Sequence, residues 1–297
     1  MKYHIIPLID CVFKALLGAE GNKNLLIHFV NAVLNPEPSR RISAVEILNP
    51  FNEKEFLSDK LSIVDVKARD EAGRTYQIEV QLSVFPALPA RMLYTWSDLY
   101  AAQLKSGEDY QQLQPVVSIW LLSGILFPES PAFHHHFQML DRELGVRLNE
   151  HASIHVLELN KWHKSKAENE LDRWTYFFRE AQELDDEHLP AFMNTQEMRQ
   201  AMETLKLFSE KEREYHLYQS RMDYLRWQRT IERSLEMAQQ EARQAQQKAR
   251  EAQESLQSAV QSAVEEKEAA LQSALREKEQ LLEILRKSGV DLDSFKK

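Results

Sequence analysis

Residues 61–83, LSIVDVKARDEAGRTYQIEVQLS, constrain the chain more than any other stretch, because they read as two strands closed by a tight turn. Gly73 suits the left-handed third position of a three-residue loop, Glu71-Ala72-Gly73, so Asp70 faces Arg74 across the ladder. Counting outward sets Ala68 against Tyr76, Val66 against Ile78 and Val64 against Val80 on one apolar face. The other face opposes Arg69 to Thr75, Lys67 to Gln77, Asp65 to Glu79 and Ile63 to Gln81. Two carboxylates thus meet, about 4.5–5.5 Å apart at Cβ, with Gln81 beside Glu79; such a pair is destabilising unless something positive lies between, and a divalent cation answers that need. Alternation puts polar residues on an outer face in any case, so a solvated sheet surface is the other reading of the same pattern.

The surrounding sequence predicts a mixed sheet around that hairpin. Asp10 is placed to N-cap a helix, CVFKALLG, that Gly18 ends; Asn22 is placed to cap a second one, stopped by Pro36. Residues 42–50, ISAVEILNP, read as the first strand. Pro86 and Pro89 break the chain before a helix over 90–105, with Gly107 as its stop. Pro115 introduces VVSIWLL, apolar on both faces and hence a buried central strand. Further strands are expected at 133–139 and 153–159. His134, His135 and His136 project to alternate faces of such a strand and cannot converge on one ion, so they read as an exposed polar stretch. Aromatic residues from Trp162 to Phe178 open a helical region that packs on the core.

All ten prolines lie at or before Pro190, and no glycine separates Gly145 from Gly289, so a mixed region gives way to helix. The expected division is 1–165, an α/β unit; 166–226, helices packing on it; and 227–297, a long charged helix with a small cap. Ile231, Leu235, Ala238, Ala242, Ala245, Ala249, Ala252, Leu256, Ala259 and Ala263 form a heptad seam, which then slips by one residue through Val260, Val264, Leu271 and Leu285. Such a seam permits a coiled coil and a homo-oligomer, a dimer in the simplest case. Alanine buries little area, at about 25 cal/mol per Å², so the association is expected to be weak. From Arg229 onward 12 Lys and Arg stand against 13 Asp and Glu, which makes the helix a spacer or oligomerisation element before it is a phosphate-binding arm, a lone charged helix lying in solvent being the other reading. The whole chain carries −9, so any nucleic-acid surface is a local patch. One cysteine, Cys11, leaves no disulfide framework and no thiolate zinc site; with no signal peptide or membrane span in the sequence, a cytoplasmic setting is expected.

A strand-borne Asp, an acidic residue on the partner strand and a polar residue two further along is the layout of the PD-(D/E)XK phosphodiesterases. IDCVFKALLG, VEILNPF, LSIVDVKARDEAGRTYQIEVQ, RMLYTWSDLYAAQLKSGEDYQQLQPVVSIWLL and SIHVLELNKW together resemble the Rpn family of recombination-promoting nucleases, also described as PD-(D/E)XK nuclease family transposases, over about residues 5–180. The resemblance implies a restriction-endonuclease-like α/β fold, a mixed central sheet flanked by helices, ahead of the C-terminal helical region. It implies a DNA endonuclease of a bacterial group linked to recombination, mobile DNA and defence against foreign DNA, using Mg²⁺ or Mn²⁺. Asp65 and Glu79 match the metal-binding acids and Gln81 the third position, where the wider superfamily has Lys and this family has Gln. Glutamine can orient water but carries no charge; Lys67, on the same face as Asp65, is able to supply one or to pair with Asp65. Asp10 matches the acidic residue of the opening helix and is a further metal or supporting candidate beside its capping role. Lys14 is a phosphate contact or the i,i+4 partner of Asp10, and Arg91 is the DNA contact expected of the helix after the hairpin. An inactive DNA-binding scaffold of the same fold, and a transposase with strand transfer, are the alternatives.

Overall fold

The computed structural model describes residues 4–48, 65–184 and 188–287, the side chain of Asp65 apart. Its elements in chain order are α1 (Asp10–Leu17), α2 (Lys23–Leu34), β1 (Val45–Ile47), β2 (Asp65–Asp70), β3 (Thr75–Gln81), α3 (Leu88–Ala101), β4 (Val116–Leu122), β5 (His134–Gln138), β6 (Ala152–Glu158), α4 (Glu170–Glu180), α5 (Gln196–Glu210) and α6 (Glu212–Lys287). The strands form one sheet in the order β1-β2-β3-β4-β6-β5. β3, β4 and β6 run parallel at its centre, while β1, β2 and β5 join antiparallel on the flanks. This is the mixed sheet flanked by helices expected of a restriction-endonuclease-like fold. The chain separates into two compact units, Met1–Tyr224 and Leu225–Lys297.

The hairpin register follows the turn count. Gly73 takes φ +83°, and β2 pairs with β3 through Asp65↔Glu79, Val66↔Ile78, Lys67↔Gln77, Ala68↔Tyr76 and Arg69↔Thr75. Buried Asp70 anchors the turn. Its Oδ1 accepts the backbone N–H groups of Ala72 and Arg74 at 3.0 and 2.9 Å, and its Oδ2 accepts Arg74 Nε at 2.6 Å and the Tyr76 hydroxyl at 2.9 Å. Every residue of β4 is buried, as expected of a strand apolar on both faces. One face of the sheet is covered by α3, whose Leu88 and Met92 pack on Trp120, Leu122 and Val156. The other face meets α1 and α2, backed by the aromatic packing of Phe13 and Phe29 on Trp174 and Phe178 of α4.

Several boundaries differ from expectation for local reasons. β1 begins at Val45, not at Ile42, because side chains claim the earlier backbone: Asn31 brackets Ile42 through both its amide groups, and Glu71 accepts the N–H groups of Ser43 and Ala44. Asn49, Pro50, Ile63 and Val64 lie outside the described residues. Pro89 does not precede α3 but sits in its first turn, where a missing N–H costs nothing. That helix stops at Ala101, since Gln103 instead pairs its amide with the backbone of Gln114 and ties the loop to β4. Asp10 is the first residue of α1, not its N-cap; its Oδ1 accepts the N–H of Cys11 at 2.8 Å. The long helix starts at Glu212, earlier than the change in composition at Trp227, because Leu217 and Tyr218 still bury. From residue 226 to 287 every residue is exposed, and the expected terminal cap lies outside the described residues. Among the described residues no helix is long and apolar enough to cross a membrane.

Of the three consecutive histidines expected to be exposed, only His136 is; His134 and His135 are half-buried. Alternation splits them as predicted, but His134 and His136 share a face with His155 of β6, which the sequence reading left out. His134 Nε2 lies 2.9 Å from His155 Nδ1, the ring of His136 stacks on that of His155 at 4.1 Å, and Ser153 Oγ bridges His155 and His136 at 3.1 and 2.9 Å. They border a cleft of about 560 Å³ shared with His28, Arg41 and Glu170. Burial, then the neighbouring imidazoles, pushes His134 down to about 4 and holds His155 well below the ordinary range; burial, then Arg147, lowers His136. On the other face His135 reaches the buried Glu158, 3.0 Å away, which also holds Lys161 at 2.6 Å.

Two predictions follow from this packing. Asp70→Ala strands the Tyr76 hydroxyl and two turn N–H groups, and is expected to cost about 2–3 kcal/mol in denaturant unfolding; a loss under about 0.5 kcal/mol would contradict the anchoring role. His134, His136 and His155 are held below the ordinary imidazole value in the fold and protonate near 6.5 when unfolded, so the stability they contribute is full above about pH 6.5 and drains away as pH falls toward 4. Thermal melts should therefore show Tm falling between pH 6.5 and 5, more steeply than in His134→Gln, and equal slopes would count against this account.

Candidate active site

The hairpin's polar face is buried along β3 at Thr75, Gln77 and Glu79, while Lys67 and Gln81 are half-buried and Arg69 is exposed, so the reading as a wholly solvated surface does not describe β3. Glu79 is 1 % exposed and Gln77 is 2 % exposed, because β4 continues the sheet beyond β3 and α3 lies across it. Parallel pairing sets Gln77 beside Ser118, Glu79 beside Trp120 and Gln81 beside Leu122. Antiparallel pairing on the other side sets Asp65 directly opposite Glu79. The alternation that sends Ile78 inward on one side therefore sends Gln77, Glu79 and Gln81 together to the other, toward α3.

Gln77 and Arg91 are among the groups that hold Glu79. Gln77 Nε2 donates to its Oε1 at 2.7 Å, and Arg91 Nη2 stands 3.8 Å from its Oε2. Arg91 also donates from Nη1 to Gln81 Oε1 at 3.2 Å, so one guanidinium touches both the acid and the glutamine two residues on. Its carbon lies 5.7 Å from the centre of the Trp120 ring, and that indole is itself fixed by a 2.9 Å bond from Nε1 to Ser118 Oγ. A buried carboxylate is costly unless charge and hydrogen bonds compensate it, and here the compensation comes from neighbours in strand register and from the first turns of one helix.

The donor set suits a hard divalent cation. By residue type, the ladder pair Asp65↔Glu79 and Gln81 two residues along β3 are oxygen donors of the kind such an ion takes, the Gln81 oxygen here accepting from Arg91. Gln77 gives an independent sign of fit: its Nε2 is committed to Glu79, which leaves its buried Oε1 with no hydrogen-bond partner among the described residues. Among those residues no three His, Cys, Asp or Glu side chains are placed to hold a metal, and the Asp65 side chain is outside the description.

The remaining candidates are distributed. Asp10 pairs with Arg221 of α6, a partner 211 residues away that no local pattern points to, and does not pair with Lys14. Lys14 lies one turn along α1, its carbonyl accepting the N–H of Gly18 at 2.7 Å. Lys67 sits on β2 directly opposite Gln77. Burial first, then Asp10, pushes the Cys11 thiol far up, so the single cysteine is no nucleophile at neutral pH. Gln77 and Trp120 are the members that sequence reasoning missed. Alternation from Glu79 was the available signal for Gln77, while Trp120 requires knowing which strand pairs with β3.

Neither a curated protein nor a solved structure matches this chain. The sequence profile of the PD-(D/E)XK nuclease family transposases does, over residues 7–234. That span takes in both opening helices, the whole described sheet with Asp65, Glu79 and Gln81, the Arg91 helix and the helices that back the core, so the chain belongs to the PD-(D/E)XK nuclease family transposases.

Proposed function

We propose that this protein is a divalent-metal-dependent DNA endonuclease serving recombination, mobile DNA or defence against foreign DNA in a bacterial cytoplasm. Family membership supports a nuclease-like, transposase-related function, and PD-(D/E)XK nucleases as a class use divalent metals. The observation that carries the reading is the ladder pair Asp65↔Glu79, with the Glu79 carboxylate buried between Gln77 and Arg91. Two acids in direct opposition beneath a helix serve a cation better than they serve the sheet.

In this reading Asp65 and Glu79 hold Mg²⁺ or Mn²⁺, with Asp10 as a further candidate, and Gln81 orients the attacking water through its amide. When bound, the ion supplies positive charge that polarises the scissile phosphate and makes water more acidic. Hydrolysis adds the water oxygen to phosphorus and breaks one ester P–O bond; the proton of the water ends on the departing alcohol oxygen. Lys14, Lys67 and Arg91 contact the DNA backbone. Strand transfer, which the family's name carries, differs only in the nucleophile, a DNA 3′ hydroxyl in place of water. The nuclease part is assigned to residues 1–165, the helices packing on it to 166–226, and the charged C-terminal part with its expected cap to 227–297; two copies associate weakly through its long helix, which is described as far as Lys287. The exposure of Ile231, Leu235, Leu256, Val264, Leu271, Leu281 and Leu285 supports that last point.

Nicking of supercoiled plasmid with Mg²⁺, Mn²⁺ or EDTA tests the activity. The parent chain is expected to cut with either ion and not in EDTA, and Asp65→Ala and Glu79→Ala are each expected to lose at least about 100-fold while melting as the parent does. Unchanged cleavage by folded Asp65→Ala would refute the assignment. For the helix, sedimentation should show a concentration-dependent dimer that disappears on removing residues 228–297; a monomer at all concentrations would sink that part.

A further inference from the structure

Gln81 stands where the superfamily pattern places a lysine, and a neutral amide cannot stabilise charge that builds on a phosphate in flight. The structure assigns that duty to Arg91. We propose that Arg91, delivered by α3 from outside the hairpin, is the phosphate-facing cation of this site, and so a specificity and catalytic residue for polyanionic substrates. The inference rests on the nuclease reading above.

Three features support it. The guanidinium touches both motif residues of β3, at 3.2 Å to Gln81 and 3.8 Å to Glu79, so its positive charge lies beside both. Its side chain is 32 % exposed while that of Glu79 is 2 % exposed, so Arg91 carries positive charge from the buried acid out to solvent. Seating over Trp120 orients the guanidinium plane without consuming its N–H groups. Arginine has five such donors in a rigid fork, and the two contacts above leave others for the oxygens of a phosphate, which an arginine fork matches in pairs. The neutral Gln81 then fits its place: its oxygen accepts from Arg91 and steers the fork, where a lysine would repel it.

The test uses the full chain with Arg91→Met, which keeps length and ring contact but removes charge, and with Arg91→Lys, which keeps charge but not the fork. Thermal melts establish that both fold. The first readout is binding of a fluorescent duplex in EDTA across a salt series, which needs neither metal nor turnover. Arg91→Met should weaken binding and lower the slope of log K against log salt by about 0.9, the value of one phosphate contact, with Arg91→Lys keeping the slope. The second readout is plasmid cleavage with Mg²⁺, where Arg91→Met should fall about 100-fold and Arg91→Lys should retain part of the rate. An unchanged salt slope in Arg91→Met, or cleavage within about threefold of the parent, overturns the proposal. If the parent itself never cuts DNA, the nuclease reading fails, and the salt slope still decides whether Arg91 meets phosphate.

Discussion

The site depends on one turn. Asp70, buried under the hairpin loop, gathers two backbone N–H groups, the Arg74 guanidinium and the Tyr76 hydroxyl, and so fixes where β3 begins relative to β2. A slip of one residue would send every side chain of β3 to the opposite face and part Asp65 from Glu79. Because the side-chain period is two, an anchor at the turn sets chemistry five residues away with no contact between them. The turn is also tied to the chain entering β1 by Glu71, which binds Ser43 and Ala44 and is held down to about pKa 2 by those bonds, the Ser43 hydroxyl first.

The second constraint is the burial of a face that is polar by pattern. β3 is central in the sheet, so its polar side is roofed by α3 and its residues must find partners indoors. Gln77, Glu79, Gln81, Arg91, Ser118 and Trp120 answer one another there in a connected set of hydrogen bonds and a ring contact. Such networks are costly when half satisfied, and the unpartnered Gln77 oxygen is the point where this one is open. Residues arranged for stability alone would be expected to close it or to be apolar.

Much of this was legible from local counting. The turn type, the register from Asp65 to Asp70, the buried β4 and both opening helices follow from glycine, proline and hydrophobic period, which act within a few residues. What stayed hidden required knowing which strands are neighbours. His155 joins His134 and His136 only because β5 lies on β6, and Trp120 reaches Arg91 only because β4 lies on β3. Asp10 shows the same limit, since a helix cap is a local inference while its ion pair to Arg221 spans nearly the whole of the first unit. Strand and helix ends moved where a side chain captured a backbone group, as Asn31 does at Ile42.

The central claim is that the carboxylates at positions 65 and 79 act as one ligand set, and a double-mutant cycle on metal affinity addresses it without reference to turnover. Mn²⁺ binding followed by electron paramagnetic resonance would compare the parent with Asp65→Asn, Glu79→Gln and the two combined. The account predicts that each single change weakens binding at least about tenfold and that the combination is no worse than the weaker single variant. Affinities that stay within about threefold of the parent, or losses that simply multiply, would contradict it.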